Sequence, residues 1–196
     1  MRVNEIFYSL QGEGYYSGTP AVFVRLSGCN LRCPFCDTRH ESGREMSEKE
    51  IVEAVGQYPA RHVVVTGGEP ALQLTESLVD ALHATGRYVA VETNGTHPLP
   101  DNVDWVTLSP KSAFVDGADV VLNHADEIKV VYDGIHDPEG QLSTLNSQLS
   151  TLRFLQPCDT GDPSHNAQIT AATVEYIKSH PEWRLSLQIH KILNID

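Results

Sequence analysis

The sequence predicts an α/β protein in which a parallel sheet, covered by helices, forms an open, partial (β/α)6 barrel. Segments with strand character alternate with segments of helical character along the chain, which is typical of parallel sheets. The segment 21–27, AVFVRLS, is apolar almost throughout, as expected of a strand buried on both faces. Because 196 residues hold about six strand–helix units, a closed barrel of eight units is too large for the chain. We therefore expect one domain over residues 1–196.

Eight segments carry the pattern of a strand. Each is a short run rich in β-branched, aromatic or other apolar residues, bounded by turn-forming residues. The predicted strands are residues 3–8, 21–27, 62–66, 88–92, 105–108, 128–132, 154–156 and 184–187. Their spacing leaves room for helices in several of the connections, as a parallel sheet requires.

Three helices are predicted from their end signals. The first follows Ser47, since Ser47 and Glu50 have the spacing of a capping box. The second covers residues 72–85 and stops at Gly86, because glycine readily adopts the left-handed conformation that ends a helix. The third lies near residues 167–179.

A near-repeat stands apart from this pattern. Residues 141–152 read QLSTLNSQLSTL, a seven-residue unit given almost twice. Its leucines alternate at spacings of three and four and would form one apolar helical stripe; they are Leu142, Leu145, Leu149 and Leu152. We interpret the segment as a crossover helix or a low-complexity insertion within a crossover, and we assign no chemistry to it.

The composition narrows the class of partner. The chain carries 14 basic and 26 acidic residues, a net charge of −12, so it is a poor candidate for binding the phosphate backbone of a nucleic acid. Small molecules are the expected partners. No apolar run approaches the roughly 18 residues of a membrane-spanning helix, and the N-terminus lacks the pattern of a secretory signal. We therefore expect a cytoplasmic protein without membrane association.

The four cysteines are unevenly placed. Cys29, Cys33 and Cys36 fall within eight positions, whereas Cys158 is far downstream. In a reducing compartment, clustered cysteines indicate metal or cluster chemistry before disulfides. Three thiolates are one short of a closed tetrahedral zinc site and of the usual four-cysteine iron–sulfur site. An open coordination position of this kind is what chemistry at a metal requires.

Two motifs together resemble the radical S-adenosylmethionine (SAM) superfamily. Cys29, Cys33 and Cys36 have the superfamily's spacing, with an aromatic residue, Phe35, before the last cysteine. The segment 66–70, TGGEP, follows a predicted strand and is similar to the segment that holds the amino group of SAM. The resemblance implies an open TIM-like (β/α)6 barrel of the radical SAM type, reduced in size, and a 4Fe-4S cluster whose fourth iron is chelated by SAM. Electron transfer from that cluster would cleave SAM to methionine and a 5′-deoxyadenosyl radical.

A further set of motifs, running in order from residue 5 to the last residue, is similar to the 7-carboxy-7-deazaguanine synthases. The matching segments are SLQGEG (9–14), Arg25, Asp37-Thr38, ETNG (92–95), SPK (109–111), QP (156–157) and QIHK (188–191). Members of that family convert 6-carboxy-5,6,7,8-tetrahydropterin to 7-carboxy-7-deazaguanine with loss of ammonia, a step toward queuosine and related 7-deazapurines. The resemblance implies hydrogen abstraction at carbon 6 of the pterin, ring contraction, regeneration of SAM, and Mg²⁺ as a third cofactor.

The same resemblance assigns roles to individual residues. Cys29, Cys33 and Cys36 would hold the cluster, and the Thr38 hydroxyl would bind Mg²⁺, with substrate oxygens and water completing its shell. The residues implied at SAM are Phe35, Cys36, Asp37, Gly67, Gly68, Glu69, Gly95, Ser109, Pro110, Lys111, Gln156, Pro157, Cys158 and Asp159. The residues implied at the substrate are Leu10, Gln11, Gly12, Glu13, Arg25, Thr93, His190 and Asp196. Of these, Arg25 would pair with the substrate carboxylate in bidentate fashion.

Two other classes of function remain open from the sequence. A glycyl-radical-enzyme activase has the same cysteine spacing but acts on a partner protein. A zinc-binding or electron-transfer module would explain the three cysteines and leave the TGGEP, SPK and QP segments without a role. If the chain is a 7-carboxy-7-deazaguanine synthase, the resemblance also implies a flavodoxin-type or other reductant and a homodimer.

Overall fold

The computed structural model describes residues 1–143 and 152–195, which form one mixed sheet with helices against it. Within these residues the sheet has nine strands in the order β3-β1-β2-β4-β5-β6-β7-β8-β9. The strands are β1 (Arg2–Leu10), β2 (Pro20–Leu26), β3 (Arg44–Glu45), β4 (His62–Gly67), β5 (Tyr88–Thr93), β6 (Trp105–Leu108), β7 (Glu127–Tyr132), β8 (Leu152–Pro157) and β9 (Trp183–Leu185).

The sheet is parallel except at its N-terminal edge. From β2 to β9 every neighbouring pair is parallel, whereas β1 is antiparallel to both β2 and β3. The strands β3 and β9 lie at opposite ends of the order, so the barrel is open. This confirms the predicted open, partial barrel, to which the short β9 adds a seventh parallel strand.

Four of the described helices lie in connections between strands, and the fifth follows β9. They are α1 (Glu48–Val55), α2 (Glu76–His83), α3 (Pro138–Ser143), α4 (Pro163–Ser179) and α5 (Ile189–Leu193). The predicted capping box of α1 is confirmed: the Ser47 hydroxyl accepts from the Glu50 amide, and the Glu50 carboxylate accepts from the Ser47 amide at 2.7 Å. Within the described residues, no helix is both long and apolar enough to cross a membrane.

Two predicted helix starts are wrong. The second helix begins at Glu76 rather than 72, because a 3-10 turn over Pro70–Leu72 comes first and the Thr75 hydroxyl caps α2 by accepting from the Leu78 amide. The third helix begins at Pro163, four residues before the predicted 167, because the Asp162 carboxylate accepts from two amides of its first turn.

The predicted apolar stripe over residues 141–152 is wrong at its C-terminal end. The helix α3 is described over Pro138–Ser143, and Leu152 is the first residue of β8. Leu142 packs against the buried cluster of the C-terminal half of the sheet. Leu145 and Leu149, and with them most of the repeat, lie outside the described residues.

The two faces of the sheet have different characters. On the outer face, valines of β2, β4 and β5 pack against Ile51 of α1 and against Leu78 and Leu82 of α2. Because side chains alternate along a strand, the inner face carries the residues between those valines. Its apolar part is Ala21, Phe23, Val64 and Ala90, and its polar part, toward the carboxyl ends of the strands, is Arg25, Thr66, Glu92, Lys129 and Gln156. The fold thus places polar side chains at the strand ends, where α/β barrels bind ligands.

Aromatic side chains close the opposite, amino end of the inner face. The Tyr16 ring lies 4.6 Å from the His62 ring and 4.9 Å from the Trp105 ring, centroid to centroid. His62 stacks on Tyr88 at 5.5 Å. The buried His62 Nε2 and Trp105 Nε1 atoms have no hydrogen-bond partner among the described residues.

We expect His62→Phe to reduce the loss of folding stability that the protein shows as the pH falls below 6.5. Burial lowers the pKa of His62 from 6.5, so the unfolded chain binds a proton more readily than the folded chain, and stability is lost as the pH falls below 6.5. The melting temperature of the metal-free protein is measured between about pH 7.5 and pH 5. As the pH falls, it should decrease less in the variant than in the parent. The exposed His165→Gln is the control. A constant difference between parent and His62→Phe across that range would contradict the assignment.

Candidate active site

A cavity of about 790 Å³ opens at the carboxyl ends of the parallel strands. It brings together most of the residues for which the sequence analysis predicts a role. The predicted residues on its wall are Leu10, Gln11, Gly12, Glu13, Arg25, Cys29, Cys33, Phe35, Cys36, Asp37, Thr38, Gly67, Gly68, Thr93, Ser109, Lys111, Gln156, Pro157, Cys158, Asp159 and His190. Residues that are separated by up to 180 positions in the sequence therefore share one site.

Three of the predicted residues that the structure describes are not on that wall. Gly95 and Pro110 lie in neighbouring loops, and Asp196 lies outside the described residues. Glu69 is 1% exposed, and its carboxylate accepts from the Thr93 hydroxyl at 2.7 Å and from the Asn94 amide at 2.7 Å. Glu69 therefore ties the end of β4 to the end of β5, while its contact with SAM stays a prediction.

The cysteine loop follows directly from β2. Gly28 begins it in the left-handed region, with φ +87°, and its amide donates to the His40 carbonyl at 2.8 Å, which closes the loop. All three cysteines of the loop are free thiols on the cavity wall. Burial raises the pKa of the Cys29 and Cys33 thiols, and the Lys111 ammonium opposes that rise at Cys33.

The glycine pair after β4 allows the cysteine loop to pack closely on the strand. A Cβ on Gly68 would collide with the Gly28 carbonyl oxygen, and Gly67 has φ +130°, a conformation that favours glycine. The Glu69 amide donates to the Gly28 carbonyl at 2.9 Å. The two motifs that carry the superfamily resemblance are therefore packed against each other.

The donor set fits a cubane iron–sulfur cluster. In the described part of the chain, no three Cys, His, Asp or Glu side chains converge on a single metal ion. A cubane receives each thiolate at a different iron, so its three protein ligands do not need to converge on one point. The cavity beside the thiols leaves space for a non-protein ligand at the fourth iron.

Lys111 and Ser109 line the cavity after the end of β6. The Lys111 ammonium donates to the Ser109 carbonyl at 2.8 Å, and the Ser109 hydroxyl donates to the Lys129 carbonyl at 2.9 Å. Loss of hydration around its ammonium lowers the pKa of Lys111 to about 8. On β8, the Gln156 side-chain oxygen accepts from the Ser186 hydroxyl at 2.9 Å.

A buried ion network forms the floor of the cavity. The Lys129 ammonium pairs with the Glu13 carboxylate and lies 3.8 Å from the Glu92 carboxylate. The Gln11 side chain donates to Glu92 at 2.9 Å. Burial opposes ionisation of Glu13, but the Lys129 ammonium outweighs it and lowers the pKa of Glu13. Burial likewise disfavours the charged form of Lys129, and the carboxylates of Glu13 and Glu92 raise its pKa in spite of that.

A third carboxylate anchors the N-terminal loop to this floor. The Glu127 carboxylate accepts from the Tyr15 amide at 2.8 Å and from the Thr107 hydroxyl at 2.8 Å. Burial raises the pKa of Glu127. Gly14, with φ +65°, has no room for a Cβ beside this carboxylate.

Arg25 projects from the end of β2 into the cavity wall. Its Nε donates to the Glu5 carboxylate at 2.7 Å, and its guanidinium lies 5.4 Å from the centre of the Phe7 ring. The two terminal nitrogens of Arg25 have no partner among the described residues. They form the paired donor face that matches a carboxylate.

The C-terminal segment covers one side of the cavity. The Gln188 amide donates to Glu13 at 3.0 Å and to Asp37 at 3.4 Å. The His190 ring packs so closely on Gly12 that a Cβ there would overlap its Nδ1. Lys191 pairs with Asp37 and with Asp159 at 2.7 Å each, which holds the pKa of Asp159 at about 2.

Several residues of the site had no role from the sequence. On the cavity wall these are Thr66, Glu92, Asn94, Lys129, Gln188 and Lys191. The signal that could have found Lys129 is its position in EIKVVY, a strand that is otherwise apolar from its second residue. A lysine at an inward position of such a strand needs a carboxylate partner, because an unpaired buried charge is strongly destabilising.

Comparisons with known proteins indicate the family of this chain. Residues 23–138 match the family model of the Radical SAM superfamily. The chain is 50% identical over 194 residues to the 7-carboxy-7-deazaguanine synthase of Bacteroides thetaiotaomicron, covering 99% of this chain and 98% of that protein. It is 40% identical to the 7-carboxy-7-deazaguanine synthase of Bradyrhizobium diazoefficiens, covering 98% of each.

A solved structure supports the same relationship. The crystal structure of QueE from Escherichia coli matches with a TM-score of 0.78 and 33% identity, over 95% of this chain and 92% of that chain. These relatives do not favour the two alternatives, an activase or a zinc-binding module. The fold is thus the open, partial barrel of radical SAM proteins, and the chain belongs to the 7-carboxy-7-deazaguanine synthase family.

Proposed function

We propose that this chain converts 6-carboxy-5,6,7,8-tetrahydropterin to 7-carboxy-7-deazaguanine with loss of ammonia. The observation that carries the proposal is the cavity itself. One continuous wall holds three free thiols and, facing the same space, the Arg25 guanidinium with an unused carboxylate-binding face. The relatives that bear this activity in their names cover almost the whole chain.

The cofactors are those of the radical SAM superfamily. A 4Fe-4S cluster and SAM, when bound, supply one-electron cleavage and hydrogen-atom abstraction. Cys29, Cys33 and Cys36 would hold three irons of the cluster. Ser109, Lys111 and residues 156–159 lie on the same cavity wall and would contact SAM, with Lys111 the cation available to its carboxylate.

The substrate side of the cavity combines one charged anchor with an apolar wall. The free terminal nitrogens of Arg25 would donate to the substrate carboxylate. Phe7, Phe23 and Leu10 also line the cavity and offer apolar surface to a fused ring. The Thr93 hydroxyl already donates to Glu69 and accepts from the Gly95 amide at 3.0 Å, so toward the substrate it can only accept.

The cellular setting follows from the same chemistry. Free thiols and an iron–sulfur cluster require a reducing compartment, so we place the protein in the cytoplasm. Reduction of the cluster calls for a flavodoxin-type or other one-electron donor. We further propose a homodimer, on the strength of the family resemblance, and no nucleic-acid partner, on the strength of the net charge of −12.

We propose Thr38 as the protein ligand of Mg²⁺. Thr38 lines the cavity two positions after Cys36, and its hydroxyl is a hard oxygen of the kind that Mg²⁺ prefers. We expect Thr38→Ala to retain the cluster and to lose most of the stimulation by Mg²⁺. Turnover would be measured against Mg²⁺ concentration at constant iron content, with Thr38→Ser as the variant that keeps a hydroxyl. An unchanged Mg²⁺ response in Thr38→Ala would remove Thr38 from the metal site.

Anaerobic turnover tests the proposed reaction. Reconstituted protein is incubated with reductant, SAM, Mg²⁺ and 6-carboxytetrahydropterin, and the products are read by mass spectrometry. We expect a peak at the mass of 7-carboxy-7-deazaguanine. Cleavage of SAM to 5′-deoxyadenosine without that product would contradict the assigned substrate, and one zinc per chain without labile sulfide would contradict the radical chemistry.

A further inference from the structure

The C-terminal clasp, defined as Gln188, His190 and Lys191, joins parts of the cavity that the sheet keeps apart. The Lys191 Nζ lies 2.7 Å from Asp37 Oδ2 and 2.7 Å from Asp159 Oδ2, so one ammonium bridges two carboxylates. Asp37 directly follows the cluster ligand Cys36, and Asp159 follows the end of β8.

The two carboxylates follow strands that are not neighbours in the sheet. Asp37 belongs to the loop after β2, and four strands, β4 to β7, separate β2 from β8 in the sheet. No ladder of backbone hydrogen bonds therefore sets the distance between Asp37 and Asp159. The Lys191 ammonium bonds to both, and it is placed to set that distance.

The same clasp holds the loop predicted to contact the substrate. The Ile189 amide donates to the Gly12 carbonyl at 3.1 Å, and Gln188 bonds to both Glu13 and Asp37. Because His190 packs directly on Gly12, a shift of the clasp must also shift this loop. The clasp is thus in contact with three parts of the cavity at once.

Polar contacts hold the clasp in place. The helix α5 has five residues and no buried side chain, and Ile192 and Leu193 are 69% and 54% exposed. The Lys191 side chain itself is 35% exposed. A segment with little buried apolar surface opens locally at low free-energy cost, and ligands that order it stabilise its closed form.

We propose that Lys191 is a positioning residue that couples SAM binding to substrate binding through the C-terminal clasp. This inference rests on the proposed function. SAM on the Asp37 and Asp159 walls favours the closed clasp, and the closed clasp holds the 10–13 loop in its substrate-binding position. The coupling is reciprocal, because each ligand must change the affinity of the other by the same factor.

Binding measurements on the cluster-loaded protein test the coupling. With the cluster left oxidised so that no turnover occurs, the dissociation constant of SAM is measured by equilibrium dialysis with and without 6-carboxytetrahydropterin. We expect the pterin to tighten SAM binding about tenfold in the parent and less than about twofold in Lys191→Met. Lys191→Arg, which keeps a cation, should retain most of the effect.

A matched control separates this effect from a general loss of charge. Lys178 pairs with Glu175 on α4 at 2.8 Å and is exposed, so Lys178→Met removes a similar ion pair away from the cavity and should keep the full coupling. Full coupling in Lys191→Met with normal iron content would overturn the proposal. Equal weakening of SAM binding with and without the pterin would overturn it as well, since it would show a direct contact instead of coupling.

A second readout is independent of the substrate. Hydrogen exchange of the amides of residues 188–195 should slow when SAM is added to the parent and to Lys178→Met, but not when it is added to Lys191→Met. If the pterin does not bind the parent at all, the proposed function is wrong. The effect of SAM on hydrogen exchange in residues 188–195 still tests the role of Lys191 in that case. Equal protection in the parent and in Lys191→Met would contradict that role.

Discussion

Cys33→Ala is expected to lose the cluster and the activity together. Cys33 is the middle thiol of the loop and one of the three that would each ligate an iron. Substitutions of groups that only support metal ligands already cost about 10- to 100-fold, so loss of a ligand should exceed that range. Iron and labile sulfide content, the absorption of the reconstituted cluster and turnover are measured on the same sample.

Cys158→Ala is the matched control for cluster content. Cys158 is also a free thiol, but it is buried beside Val131 and Ile169 and lies outside the cysteine motif. We expect Cys158→Ala to bind as much iron as the parent. A complete 4Fe-4S spectrum in Cys33→Ala would contradict the assignment of the three ligands.

Lys129→Met is expected to destabilise the folded protein by about 3–5 kcal/mol. The Lys129 side chain is 6% exposed and pairs with Glu13, which is 13% exposed, and with Glu92. Without the ammonium, the Glu13 carboxylate must be buried without its cation or take up a proton. Urea unfolding of the metal-free protein near neutral pH measures the loss without any contribution from cofactors.

The double variant Glu13→Gln/Lys129→Met shows whether the unpaired charge causes the loss. Removing both charges leaves no uncompensated carboxylate at that position, so the double variant should be more stable than Lys129→Met alone. Lys178→Met, at an exposed ion pair, should cost less than about 1 kcal/mol. Equal stability of Lys129→Met and Lys178→Met would contradict the buried network.

The fold could be predicted wherever local pattern and tertiary structure agree. The strand 105–108 matches Trp105–Leu108, and Ser47 caps α1 as predicted. The short α5 was missed because a helix of five residues has little intrinsic stability, and tertiary contacts define it. The crossover helix predicted from the near-repeat overlaps α3 only at residues 141–143.

The site could be predicted where its residues belong to contiguous motifs. The CxxxCxxC and TGGEP segments were found because each motif is complete within a few consecutive positions, where both its residue types and its spacing can be recognised. The floor could not be found in that way, since 116 positions separate Lys129 from Glu13 and only the folded chain makes them a pair. The ion pairs of Lys191 with Asp37 and Asp159 could not be predicted either, because these residues are also far apart in the sequence.

Turnover with limiting SAM is the sharpest test of the proposed reaction. The family resemblance implies that SAM is regenerated, so SAM would be supplied at about a tenth of the 6-carboxytetrahydropterin and product would be counted against SAM consumed. We expect several molecules of 7-carboxy-7-deazaguanine for each SAM supplied, and none from Cys33→Ala. Consumption of all the SAM to 5′-deoxyadenosine without this product would rule out the proposed reaction.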